Sequence, residues 1–149
     1  MKKVIIVYFS LSGNTETMAQ YIAEGIRFSG HEAVVKRVSD IKGAADLDSY
    51  DGYIFGSPTY HRDMADPIKT FLFLAKKAKL KGKLAGAFGS YTHDGNAPSL
   101  IFSTMEHVYK MKPFHLTSFN LLEELIHKGE GMRACQDYGR VFGEELNKK

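Results

Sequence analysis

Val4-Ile5-Ile6-Val7-Tyr8-Phe9 is an unbroken apolar run with four β-branched residues. Such a run predicts a strand covered on both faces, as in a parallel sheet, because an open antiparallel strand would alternate apolar and polar positions. The period then changes. From Asn14 to Ser29 the residues Met18, Ile22 and Ile26 recur every four positions, one stripe of a helix, with Gly30 as its stop. The rest of the chain repeats this switch. Ala33–Val38 reads as a shorter, more polar strand at a sheet edge, and Asp40–Asp51 as a connection with at most a helical turn. Tyr53–Gly56 reads as a third, buried strand. Asp66-Pro67 reads as an N-cap followed by proline at the first helical position, with Ile68, Phe71, Leu72 and Ala75 on one side of the helix. Leu84–Phe88 predicts a fourth strand of small residues. A helix starts near Ala97-Pro98, with Ile101, Met105, Val108 and Tyr109 on its stripe. Phe114–Leu121 predicts a fifth strand, and a last helix carries Cys135, Tyr138, Phe142 and Leu146 on one face. Strands alternating with helices predict an α/β fold: a three-layer α/β/α sandwich around a five-stranded parallel sheet, with right-handed crossovers. One domain over 1–149 accounts for the whole pattern, with no repeat or linker.

Composition narrows the partners. The net charge of +3 and pI near 8.9 are mildly basic, well short of a nucleic-acid binder. The lysine run Lys76, Lys77, Lys79, Lys81 and Lys83 reads as a solvated helix end and turn at the amino end of strand four. Lys2-Lys3 before the first apolar run resembles the start of a signal peptide, but the run ends at Ser10 without a cleavage site. No apolar stretch approaches about 20 residues, so no membrane span is expected. The single cysteine, Cys135, forms no internal disulfide, reads as a small core residue of the last helix, and fits a reducing, cytoplasmic compartment.

In an open α/β sheet, ligands sit beyond the carboxyl ends of the strands where the strand order reverses. Three segments fall there: Ser10-Leu11-Ser12-Gly13-Asn14-Thr15, Ser57-Pro58-Thr59-Tyr60-His61-Arg62-Asp63, and Ser90-Tyr91-Thr92-His93-Asp94-Gly95-Asn96. The first joins a strand to a helix start, where outward-pointing N–H groups bind anions. Ser10, Ser12 and Thr15 add hydroxyls, and there is no lysine or arginine in the turn. Neutral donors suit a permanently held phosphate monoester. The Gly-x4-Gly-Lys-Ser/Thr loop of nucleotide hydrolases and the Gly-x-Gly-x-x-Gly dinucleotide fingerprint are both missing. No His/Cys/Asp cluster has metal-ligand spacing, and there is no Gly-x-Ser-x-Gly elbow.

Ser10-x-Ser12-Gly13-x-Thr15 resembles the Ser/Thr-x-Ser/Thr-Gly-x-Thr phosphate loop that opens flavodoxins. Gly56-Ser57-Pro58-Thr59-Tyr60 looks like the loop after strand three in that family and in flavodoxin-like quinone reductases. Phe88-Gly89-Ser90-Tyr91-x-His93-x-Gly95 is similar to a stretch in the flavodoxin domain of flavodiiron proteins, and Cys135-x-x-Tyr138-Gly139-x3-Gly143 echoes the family's last helix. The resemblance implies a flavodoxin-like sheet in the order 2-1-3-4-5, of the short-chain kind without an insertion in strand five. It also implies FMN as cofactor, its phosphate on Ser10–Thr15. The flavin ring would then lie between Pro58, Thr59, Tyr60, His61 and Arg62 on one side and Ser90, Tyr91, Thr92, His93, Asp94 and Gly95 on the other. Tyr60, Tyr91 and His93 are the aromatic faces available to the ring, each worth on the order of 1 kcal/mol beyond buried area. His93 stands where the flavodiiron pattern has tryptophan, a residue this chain lacks. His61 and Arg62 replace the acidic surroundings common in the family. A cation near the pyrimidine edge would ease reduction of the ring.

The function so implied is an electron carrier exchanging electrons with redox partner proteins, as a monomer or weak dimer, with no catalytic acid or nucleophile of its own. The alternative is an FMN-dependent NAD(P)H:quinone reductase, in which His93 would donate a proton to a quinone. A third reading is a flavin-free interaction domain of the same fold. A receiver domain, for instance, needs acids after strand one, where this chain has Ser10 and Ser12.

Overall fold

A computed structural model describes residues 1–148. Strands β1 (Lys3–Tyr8), β2 (Glu32–Arg37), β3 (Gly52–Gly56), β6 (Leu84–Tyr91) and β7 (Lys112–Leu122) form one parallel sheet in the order β2-β1-β3-β6-β7. Counting sheet strands alone, this is 2-1-3-4-5. Between β3 and β6 lie a two-stranded hairpin, β4 (Thr59–Tyr60) and β5 (Asp63–Met64), and helix α2 (Asp66–Ala75). Helices α1 (Asn14–Phe28), α3 (Ala97–His107), α4 (Glu123–Ile126) and α5 (Gly129–Glu145) complete the chain.

The central strands β1 and β3 are buried along almost their whole length, as their continuous apolar runs require. The edge strand β2 is partly exposed. On one face, Phe55 packs edge-on against Phe71 of α2 with ring centroids 4.9 Å apart. On the other, α5 lies so close that a Cβ on Gly52 would come within 2.7 Å of the Phe142 ring. Helices α1 and α5 approach backbone to backbone. A Cβ on Gly25 would sit 1.9 Å from the Gln136 carbonyl oxygen, and one on Gly139 2.0 Å from that of Ile22.

Several local expectations shift. Ala65, not Asp66, occupies the N-cap of α2, so Asp66 and Pro67 are its first two residues and the Asp66 carboxylate faces solvent. Val108 and Tyr109 lie beyond the end of α3; Tyr109 is buried there, its hydroxyl donating to the Leu72 carbonyl. The fourth sheet strand runs on to Tyr91, which takes Ser90 and Tyr91 out of the loop that follows. The Asp40–Asp51 connection holds a 3-10 turn over Ala44–Leu47, and another spans Val38–Asp40.

The largest departure is in β7, expected as a plain strand over Phe114–Leu121. Its register against β6 jumps from Ala85↔Pro113 to Ala87↔Ser118, so Phe114–Thr117 bulge out of the ladder and Thr117 takes a left-handed φ of 60°. Tyr138 of α5 repairs the gap. Its hydroxyl donates to the Thr117 carbonyl at 2.6 Å and accepts the Ala87 N–H at 3.3 Å.

Candidate functional site

The three turns that follow β1, β3 and β6 meet at the carboxyl edge of the sheet. In the first, Gly13 has a left-handed φ of 90°, a conformation glycine adopts without a Cβ penalty. Its N–H donates to Ser10 Oγ at 3.1 Å, and its carbonyl accepts both the N–H and the hydroxyl of Thr17, at 3.0 and 2.9 Å. The turn is thus closed upon itself, and α1 starts at Asn14. The N–H groups of Asn14, Thr15 and Glu16 precede the helical ladder and have no acceptor among the described residues. Ser12 and Leu11 are exposed at the crown, whereas Ser10 is half-buried. Thr15 reaches inward as well as standing at the helix start. It is buried, with Oγ1 3.0 Å from Oγ of the equally buried Ser90. The pair ties the first turn to the end of β6.

Glu16, an acid in the first turn of α1, is drawn aside. Its carboxylate accepts from the Tyr8 hydroxyl at 2.6 Å and from Arg37 at 2.7 Å. The Tyr8 bond, then the Arg37 charge, hold its pKa below the usual carboxylate value. Burial, reinforced by Glu16, pushes the Tyr8 phenol up to about 12. The helix start therefore keeps its positive end, with the nearby carboxylate neutralised.

The second turn is a hairpin anchored by Ser57, which is fully buried. Ser57 donates its N–H to the Phe88 carbonyl at 3.2 Å, while its hydroxyl accepts the Ala65 N–H at 3.0 Å and donates to the Pro58 carbonyl at 2.8 Å, so both ends of the hairpin hang on one residue. Pro58 is buried beside it. At the tip, His61 and Arg62 have φ of 50° and 64°, the left-handed pair of a two-residue hairpin turn that usually carries Asn-Gly. Two non-glycine residues there store backbone strain, and their side chains project into solvent.

The third turn, Thr92–Gly95, is fixed to the second. Arg62 Nε lies 3.4 Å from Asp94 Oδ2, the Asn96 side chain donates to the Arg62 carbonyl at 3.3 Å, and the Ala97 N–H donates to Thr59 Oγ1 at 3.0 Å. Gly95 is held by Asn120, whose amide donates to its carbonyl and would lie 2.4 Å from any Cβ placed there. Between the two turns opens a cleft of about 450 Å³ lined by Thr59, His61, Arg62, Thr92, His93 and Asp94. Of the three aromatic candidates, His93 lines this cleft. Tyr91 is half-buried at the end of β6, and Tyr60 stands 40% exposed on β4. A second, mostly apolar cavity of about 500 Å³ lies beside Ser10 on the β2 side, under α2, and includes no residue of the second or third turn.

Sequence reasoning missed a fourth element. The single turn α4, directly after β7, reaches both of the first two turns. His127 Nε2 lies 3.1 Å from Asn14 Oδ1, and Glu123, after burial, contributes to raising the Tyr60 pKa. Only the acidic pair Glu123-Glu124 after an apolar strand hinted at a helix start there. The lysines of the Lys76–Lys83 run are all exposed and lie ahead of β6, at the opposite edge of the sheet from these turns. Among the described residues, no helix is long and apolar enough to cross a membrane.

Comparison with known proteins bears on this geometry. A family model described as Flavodoxin matches residues 6–112. A curated relative, an NAD(P)H dehydrogenase (quinone) of Gluconacetobacter diazotrophicus, is 31% identical, covering 94% of this chain and 90% of the relative. Among solved structures, a flavodoxin from the domain Archaea superposes with a TM-score of 0.85 at 27% identity, over 97% of this chain and 98% of the other. Oxidised Flavodoxin 1 from Bacillus cereus superposes with a TM-score of 0.81 at 29% identity, over 95% of this chain and 97% of that one. The flavodiiron core from Synechocystis superposes at 0.83 and 27% identity over 99% of this chain, which spans 36% of that longer protein.

Proposed function

We propose, for a chain that belongs to the flavodoxin family, that it holds one FMN at the carboxyl edge of its sheet and passes electrons between partner proteins. Members of the family bind FMN. When bound, FMN supplies one- and two-electron redox chemistry that no side chain offers. The observation that carries the proposal is the pairing of two features at one edge: an uncommitted helix start without lysine or arginine, and a cleft between the next two turns.

The donors fit a phosphate monoester. The N–H groups of Asn14, Thr15 and Glu16 and the hydroxyls of Ser10 and Ser12 surround the α1 start, and the helix dipole adds positive potential. Thr15 serves through its N–H, and through its hydroxyl where Ser90 is the donor of the pair they form. Gly13 sets the turn, and Leu11 shields its crown. Across the cleft, Thr59, His61 and Arg62 form one wall and Thr92, His93 and Asp94 the other. Pro58 and Gly95 fix the two walls in place, with Tyr60, Ser90 and Tyr91 behind them. Arg62 sets the electrostatics at the mouth, and Asp94 partly cancels it. Replacing Arg62 by alanine leaves Asp94 unbalanced and should move the flavin potential to more negative values. Asp94→Asn should move it the other way.

The test is a titration of purified, flavin-stripped protein with FMN and with riboflavin, followed by visible absorbance. We expect FMN to bind at micromolar concentration or below and riboflavin clearly more weakly, because the first turn gains nothing from riboflavin. Failure to bind FMN would refute the proposal. The quinone-reductase reading is favoured by one observation, the 31% identical NAD(P)H dehydrogenase (quinone). Steady-state NADH or NADPH oxidation with a quinone by the FMN-loaded protein alone would replace the carrier reading with that one.

A further inference from the structure

The first turn has a neighbour from the far end of the chain. His127 closes the single turn α4, and its Nε2 lies 3.1 Å from Asn14 Oδ1, 113 residues away in sequence. Asn14 is the first residue of α1 and one of the three whose N–H groups are uncommitted. A residue from outside the Ser10–Thr15 segment therefore reaches the rim of the proposed phosphate site.

The support that presents this histidine is fixed. Ile126 is fully buried, and the Lys128 N–H donates to the Leu125 carbonyl at 3.1 Å. Helix α5 follows at once and presses on α4: a Cβ on Gly131 would come to 2.0 Å from the Leu125 carbonyl oxygen. His127 itself is exposed, so its ring is open to protonation from water.

The pair has one arrangement that suits an anion. An amide oxygen only accepts, so His127 Nε2 carries the proton of this bond. The Asn14 amide nitrogen is then left over, with no acceptor among the described residues. With the amide reversed, its oxygen would be the free end, and a carbonyl oxygen beside an anion is repelled. Histidine keeps the Nε2 donor in both charge states, and when charged it adds the cation that the turn lacks. The charged groups around it leave that cation uncancelled. Glu123 and Glu124 share its helix, Lys128, Glu130 and Arg133 begin α5, and β7 has no titratable residue beyond His115. On α1 the nearby acid is Glu16, which is held by Tyr8 and Arg37. No carboxylate lies within ion-pair distance of His127 among the described residues.

We infer that His127 is a positioning residue for the cofactor phosphate: it turns the Asn14 amide nitrogen toward the phosphate, and its protonation tightens the grip. This rests on the FMN reading of the first turn.

The test titrates flavin-stripped protein with FMN and with riboflavin between about pH 8 and about pH 6.5. Across that interval histidine gains charge while a phosphate monoester stays mostly dianionic. Wild-type affinity for FMN should rise about threefold as pH falls, and that for riboflavin should stay level. His127→Ala should weaken FMN about fivefold at pH 8, with riboflavin unchanged. His127→Gln can still donate to Asn14 but cannot charge. It should recover the affinity at pH 8 and lose the rise, whereas His61 and His93 titrate alike in both proteins. In an Asn14→Ala background, His127→Ala should cost little more at pH 8. Three results would each overturn the inference: FMN affinity unchanged in His127→Ala, an equal loss for riboflavin, or a rise that persists in His127→Gln. Should FMN fail to bind, inorganic phosphate is titrated into ¹⁵N-labelled protein and read at the amides of Asn14, Thr15 and Glu16. The same ranking of variants there would keep His127 at an anion site and sink the FMN reading alone. Amides that phosphate leaves unmoved would sink both.

Discussion

Helices α1 and α5 meet through glycines with their backbones in contact, whereas α2 and α3 stand apart on the other face and leave a groove between them. The two layers cover the same sheet by opposite means. In the α1/α5 layer, a Cβ on Gly25 or Gly139 would come to about 2 Å from a backbone carbonyl oxygen of the facing helix, and one on Gly143 to 1.9 Å from Ser29 Oγ at the end of α1. That layer has no freedom to reshape without moving the sheet. In the α2/α3 layer the tie is a side chain, the hydroxyl of Tyr109 just past the end of α3 donating to the Leu72 carbonyl of α2. A fixed edge is easier to build on the first layer, since α1 both follows the first turn and packs on α5.

The sharpest way to break this contrast is to add a methyl group to the tight layer. Gly139→Ala sets a Cβ against the Ile22 carbonyl oxygen, a backbone atom that cannot swing away. It should cost about 3 kcal/mol, read as a drop in the urea midpoint. Gly43→Ala, with nothing within 4 Å, is the control and should be near neutral. A cost below about 1 kcal/mol at Gly139 would mean that the helices can part. The next effect concerns how that layer is fixed to the sheet. Tyr138→Phe keeps the ring stacked 5.2 Å from Phe119 but strands the Ala87 N–H of β6 and the Thr117 carbonyl of the β7 bulge. About 1–3 kcal/mol should be lost, and hydrogen exchange at Ala87 should quicken.

The same contrast explains what was readable in advance. The helices and long strands were legible because each buries a face, and burial imposes a period: Met18, Ile22 and Ile26 of α1 and Cys135, Tyr138 and Phe142 of α5 are buried as their spacing requires. The sheet order followed from the flavodoxin resemblance and holds. What stayed hidden has no period. The β4–β5 hairpin has two residues per strand, α4 is one turn, and the β7 bulge is decided by a tyrosine hydroxyl 21 positions away from Thr117. The site divides likewise. Its three turns were legible from the ends of predicted strands. The pairing of Thr15 with Ser90, of Arg62 with Asp94 and of His127 with Asn14 was not, because separations of 75, 32 and 113 residues leave no local trace.

Alkaline pH offers a gentler probe of the tight layer. Burial pushes the Cys135 thiol from 9.0 up to about 12. Above pH 9 the unfolded chain releases this proton while the native one keeps it, so stability falls as pH rises toward 12. The loss from this group should be about 1.4 kcal/mol by pH 10, before Tyr53, itself raised to about 12 by burial, adds its share. Urea midpoints measured from pH 8 to 10 should slope downward, and Cys135→Ala should flatten the slope. A slope equal in both proteins would place the titration elsewhere, and rapid thiol labelling of the native protein at pH 8 would show that the layer opens.

The smallest expected effect lies on the open layer, and its smallness is what sharpens the contrast. Phe73 keeps most of its surface in water, so removing the ring forfeits little burial, and serine costs an exposed helix only a few tenths of a kcal/mol in propensity. Phe73→Ser should therefore change stability by less than about 0.5 kcal/mol in a thermal melt, against a several-fold larger loss for Gly139→Ala. If the substitution instead lowered the melting temperature by as much as the glycine change does, Phe73 would be packed against α3 in solution. The groove would then be closed, and the two layers would not differ in the way their geometry describes.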